Sequence, residues 1–264
     1  MLHCENAHQL GRYKGDACFC FDMDIGAEYE ILTVPCHVCG HTNVINRASD
    51  LGYTGFAIGR EQPCQNEECA STVRVTFETA NPDYQQMICE AHGLRGEKRY
   101  MLAVGVLTQA FEMFFALSVE VMLVHHLANF SDSTTDELNL LNDELFDATK
   151  KYTYSRMRNL FISLALMNRP ASVAEARELI SPDRISRLSK DPSNETLRST
   201  DDPQLAALLI HLKTLTIGDL RNRVVHKRAY RPRLDELNEA LDPATRLTGD
   251  LWVKLDLSRS LRGD

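Results

Sequence analysis

The chain has 264 residues, 44% of them hydrophobic and 25% charged, with a net charge of −8. That balance describes an ordinary globular protein of one large or two modest domains. Residues 1–92 hold 5 Lys or Arg against 13 Asp or Glu, whereas residues 93–264 hold 24 of each, so the first stretch is excluded as the main nucleic-acid surface.

The same asymmetry predicts two domains, 1–92 and 93–264. His3, Cys4 and Glu5 interrupt any early apolar run, so no export signal is expected. The eight cysteines then read as reduced thiols or metal ligands in a cytoplasmic protein. Cys36 and Cys39 form a Cys-x2-Cys turn followed by Gly40, and Cys64 and Cys69 form a Cys-x4-Cys turn. Apolar and β-branched runs flank both turns, namely Ile31 to Val34, Val44 and Ile45, Phe56 to Ile58, and Val73 to Phe77. Two hairpin tips that each supply two thiolates to one tetrahedral ion make a zinc ribbon. Four thiolates leave no open position for water, so this zinc is structural and His37 and His41 are not needed as ligands. Cys4, Cys18, Cys20 and Cys89, the last separated from His92 by two residues, read either as a second metal site or as buried thiols.

From Gly93 to Phe130 the chain is nearly continuously apolar and lacks proline. Its length suits a membrane span, but Gln109, Glu112 and Glu120 within it predict a buried central helix instead. Glu112 and Glu120 fall on nearly one face. They are expected either to meet partner cations in the core or interface, or, for Glu112, to approach the basic motif described next. An N-cap-rich start at Ser131 to Glu137 leads into a helix through Leu138, Leu141, Leu145 and Phe146. Helices follow over Tyr154 to Met167 and Ser172 to Ile180, then a long loop over 181–203. Leucines from Leu205 to Leu220 predict one amphipathic helix running into a basic segment. Leu251 to Leu257 fits strand or helix equally.

That basic segment, Asp219 to Arg233, reads DLRNRVVHKRAYRPR. Asn222 and His226 stand four apart and share a helical face, while Arg221 lies roughly 140° around from His226 and must curl to reach it. Arg223, Lys227, Arg228, Arg231 and Arg233 surround them, and no carboxylate falls between Arg221 and Arg233. A histidine titrating near ~6.5 can take a proton from a ribose 2′-hydroxyl or give one to a leaving oxygen. A permanently charged arginine can stabilise charge growing on phosphorane oxygens. The plainer reading is a solvated basic helix end, where cations suit the dipole.

An Arg, a polar residue and a His after four intervening positions, late in a helical region, resembles the signature of the HEPN superfamily. The resemblance rests on Arg221, Asn222 and His226 and on helical context over roughly 95–241. It implies an all-α HEPN-like bundle, which, after the small β-rich zinc ribbon read from the cysteines, makes an α+β chain overall. It also implies a homodimer whose motifs face one another across a cleft, and metal-independent endoribonuclease chemistry in toxin, antiphage defence or RNA-processing settings. Arg221, Asn222 and His226 would then be catalytic, with Arg223, Lys227, Arg228, Arg231 and Arg233 holding RNA. A regulator or trigger would meet the zinc domain, and no membrane is involved. Some members carry a Tyr two residues after the His; here Arg228 stands there, so no tyrosine role is carried over. The rival reading is a non-catalytic dimerisation or nucleotide-binding bundle with the ribbon as adaptor. A zinc-ribbon nucleic-acid regulator is disfavoured by the acidity of residues 1–92.

Overall fold

A computed structural model describes residues 31–46, 60–75, 83–227 and 230–257. Two antiparallel hairpins come first, β1 (Ile31–Pro35) with β2 (Thr42–Asn46) and β3 (Arg60–Pro63) with β4 (Thr72–Val75). Side chains alternate across a strand, so Val34, Ile45 and Val73 turn inward and join Cys36 and Cys64 in a small core of their own. The third strand begins at Arg60, while Phe56–Ile58, expected to form it, lie outside the described residues.

The rest is helical: α1 (Asp83–Gly96), α2 (Tyr100–Glu120), a π-helical turn (Val121–His125), α3 (His126–Phe130), α4 (Thr135–Thr149), α5 (Tyr154–Ala165), α6 (Val173–Ile180), α7 (Pro182–Leu188), α8 (Asn194–Arg198), α9 (Pro203–Thr214), α10 (Ile217–His226) and α11 (Leu234–Lys254). A small β region followed by a helical bundle is therefore the architecture. Helix α2 is its axis, packed by α1, α5, α10 and α11. Phe111, Phe114 and Phe115 of α2 and Phe161 of α5 are fully buried, with ring centroids 5.4 to 6.4 Å apart in mostly edge-to-face pairs. Such pairs add roughly 0.5–1.5 kcal/mol each beyond the area they bury. The continuous run Tyr100–Ala128 is long and apolar enough to cross a membrane, but these neighbours cover over half of it, the buried central helix that its length and charges predict.

The helix breaks differ from the sequence-based expectation at several points. Gly93 to Gly96 belong to α1, so the expected boundary between residues 92 and 93 falls inside a helix. Lys98 then adopts φ +62°; its N–H donates to the Arg95 carbonyl and that of Arg99 to the Leu94 carbonyl, a Schellman stop with lysine where glycine is usual. The leucine run divides at Leu215 and Thr216 into α9 and α10. The expected loop at 181–203 contains α7 and α8: Pro182 opens one, the Ser193 side chain caps the other, and Ile185 and Leu197 anchor them in the core. Proline at a first turn is helix-compatible, a role its mere presence does not disclose. Leu251 proves helical, because α11 continues through Pro243 while Leu241, Ala244, Leu247 and Leu251 hold its apolar face on the core.

Candidate functional site

Cys36 and Cys39 lie on the β1–β2 turn, Cys64 and Cys69 on the β3–β4 turn. The Cys36 N–H donates to the His41 carbonyl at 2.8 Å and the Gly40 N–H to the Cys36 carbonyl at 2.9 Å, with Gly40 at φ +72°. That left-handed position is where glycine is required. The two turns are docked by Gln65, whose amide exchanges hydrogen bonds of 2.8 and 2.7 Å with the Val44 backbone as a third strand would. Buried Asn43 receives the Gln65 N–H and donates to the Val34 carbonyl.

The four sulfurs lie within 4.8 Å of one another, with Cys36–Cys69 at 3.9 Å and Cys39–Cys64 at 3.7 Å. Four thiolates at zinc–sulfur distance on a tetrahedron would be about 3.8 Å apart, so the cage fits a metal of that size. Ser71 Oγ lies 3.1 Å from Cys36 Sγ and 2.9 Å from Cys69 Sγ. Its hydrogen bond draws the Cys36 thiol down to about 5 and lowers that of Cys69, while burial pushes Cys64 up to about 11. His37 and His41 are exposed beside the cage. Cys89 is exposed on α1, and His92 faces Thr245 and Arg95; Cys4, Cys18 and Cys20 lie outside the described residues.

The second site is on α10. Thr216, Asp219, Asn222, Arg223, His226 and Lys227 line an open groove along one face of the helix, and His226 stands exposed at its last residue. Arg221 points the other way, as its position around the helix dictates. Its Nη1 curls back to donate to Asn222 Oδ1 at 3.3 Å, but among the described residues no hydrogen bond joins it to His226. Helix α10 packs on α2, and Gly218 brings it close to the start of α5, where a Cβ would meet the Tyr154 ring at 3.3 Å. The Tyr154 ring in turn packs on Phe115, one turn from Glu112. Burial raises the Glu112 carboxyl above its usual range, and the nearby Arg221 guanidinium pulls it back. Glu112 thus approaches Arg221 of the motif, whereas Glu120 meets His125 at 3.2 Å. The π turn is what permits that pairing, since five residues span one wide turn there.

The basic cluster is less free than the sequence suggests. Arg223 Nη1, Tyr230 Oη and the Arg233 N–H all donate to the Glu236 carboxylate, at 2.6, 2.7 and 2.9 Å. The Arg233 N–H and Tyr230 bonds, with Arg223 beside them, hold that carboxyl down to about 2. The Arg223 guanidinium also stacks 5.0 Å over Tyr230, and Arg233 pairs with Asp235 at 2.8 Å. Lys227 and Arg231 have no carboxylate partner among the described residues, and Arg228 lies outside them. Sequence reasoning gave no role to Thr216, Asp219 or Glu236. The three- and seven-residue spacing of Asp219 from Asn222 and His226 marks Asp219 as sharing their face, whereas nothing in the spacing of Glu236 announces a hub.

No family model, curated protein or solved structure matches the chain.

Proposed function

We propose that the helical region is a metal-independent endoribonuclease of the HEPN kind, carried on a chain whose N-terminal hairpins hold a structural zinc. The observation that carries this reading is the α10 groove, in which Asn222 and His226 lie side by side with Lys227, open to a large substrate. His226 would exchange the proton of a ribose 2′-hydroxyl as that oxygen attacks the adjacent phosphorus. The P–O5′ bond breaks, the leaving O5′ takes up a proton to become a hydroxyl, and a 2′,3′-cyclic phosphate is left. Arg221 would meet the charge on the phosphorane, its guanidinium hydrogen-bonded to Asn222. Lys227, Arg228 and Arg231 would grip the backbone.

Arg221 and His226 lie on different sides of their own helix, which suits a site completed by a second copy. Val225, exposed, shares the Arg221 face, and α2 exposes Leu102, Gly105, Gln109 and Ala116 along one stripe beside it. A two-fold partner seated on that stripe would bring its α10 opposite this one. The same turning of Arg221 toward Glu112 also suits the second reading, a non-catalytic dimerisation or nucleotide-binding module. The zinc hairpins would serve either as the seat of a regulator. Incubating the purified protein with total RNA, with and without chelator, separates the readings. Cyclic-phosphate ends accumulating in both arms support the ribonuclease, and intact RNA in both supports the module.

A further inference from the structure

Thr216-Ile-Gly-Asp219 spells a capping box, the arrangement in which a hydroxyl and an acid three residues later bond reciprocally to backbone N–H groups. At the start of α4, Thr134 and Glu137 make that box, with Glu137 accepting from the Thr134 N–H at 2.9 Å. At the start of α10 it is not made. Thr216 sits at φ −80° and ψ 2° instead of the extended conformation of Thr134, and its side chain caps nothing. Asp219 has no ion pair among the described residues. Both side chains line the groove instead.

The groove is thus electrically divided along α10. At one end His226 and Lys227 supply donors and the Lys227 charge, while Arg223, between the two ends, is already held by Glu236. Two helical turns away, on the same face, Asp219 and Thr216 supply oxygens. Seven residues advance about 10.5 Å along a helix and return to within roughly 20° of the same direction. A polyanion lying in the groove must put phosphate at the cationic end, since a phosphate beside Asp219 would be repelled. What Asp219 admits is a base edge that donates hydrogen bonds.

We infer that Asp219, aided by Thr216, is a base-reading subsite for guanine in single-stranded RNA, next to the phosphate held at His226. The inference rests on the ribonuclease reading for its substrate but names a residue outside the motif. Guanine alone presents two adjacent donors, N1–H and the N2 amino group, which match both oxygens of one carboxylate. Adenine and cytosine each set a ring-nitrogen acceptor beside their amino donor, and uracil flanks its single donor with two carbonyls. In each of those, one carboxylate oxygen meets a lone pair.

Binding of fluorescent single-stranded oligoribonucleotides tests this without requiring turnover. The probes are otherwise identical uridine-rich strands that carry one central guanosine or one central adenosine. His226→Ala protein should bind the guanosine strand about tenfold more tightly, and adding Asp219→Asn should erase that difference while leaving adenosine-strand affinity within about twofold. Circular dichroism confirms that both variants fold. Equal affinity for the two strands, or a guanosine preference that survives Asp219→Asn, would overturn the inference. A preference that depends on Asp219 in a protein whose wild type cuts no RNA would uphold the subsite and refute the ribonuclease reading.

Discussion

Glu112 and Glu236 are both carboxylates near arginines of one segment, yet their surroundings push them in opposite directions. Glu236 accepts three hydrogen bonds and titrates near 2, below its usual 4.5. A lowered folded pKa contributes stability above the unfolded value and loses it as pH falls, so its contribution should fade between pH 4.5 and about 2. Glu236→Gln should therefore lower the urea midpoint at pH 7 and make little difference near pH 2. Glu112 has the reverse sign, because burial raises it. Its deprotonation costs stability as pH rises through that raised value. Glu112→Gln should be as stable as the wild type or more so at pH 7, with the advantage gone below the ordinary carboxylate range. A Glu112→Gln protein less stable at pH 7 would mean that attraction to Arg221 outweighs desolvation. The arginines and lysines divide similarly. Lys227→Ala and Arg231→Ala should each weaken RNA binding and reduce the salt slope by about one. Arg223→Ala should act mainly on thermal stability, because Glu236 and Tyr230 already occupy its guanidinium.

At the scale of elements, the hairpins and the capped helices were the legible parts. Paired cysteines at hairpin spacing point to one cage because few other arrangements use thiols that way, and Thr134, Thr153 and Ser172 cap their helices as their residue types suggest. The stop of α1 was hidden because Lys98, and not Gly96, takes the left-handed position. Lys98→Gly should accordingly stabilise the protein by about 1 kcal/mol, read as a higher urea midpoint; a lower midpoint would deny that the φ there is strained. The α9–α10 break was hidden because leucines keep helical spacing across Leu215, and it is this break that turns Thr216 and Asp219 into the groove. The face of Asn222 and His226 was legible from their four-residue spacing; the neutralisation of Arg223 by Glu236, thirteen residues on, was not. The hairpin core of Val34, Cys36, Ile45, Cys64 and Val73 is too small to stand alone. Cys64→Ser should therefore release zinc and melt the hairpins, with the helical signal retained. Metal analysis that finds no zinc on the reduced wild-type protein would remove that role.

For the whole molecule, the proposed function would make assembly part of the chemistry, because Arg221 lies near Glu112 of α2 while His226 lines the groove. Light scattering is expected to give a dimer, and a charged substitution on the open stripe of α2, Gly105→Glu, should dissociate it and abolish cleavage together. An active monomer would mean that one chain completes the site alone. The most direct measurement is RNA cleavage by wild-type and His226→Ala protein at equal concentration, with zinc content, folding and oligomeric state matched. Loss of the proton-transferring imidazole should slow cleavage by roughly 10²–10⁴-fold, with or without chelator. A His226→Ala protein that cuts RNA at the wild-type rate would show that the motif only shapes the helix end and that the ribonuclease reading is wrong.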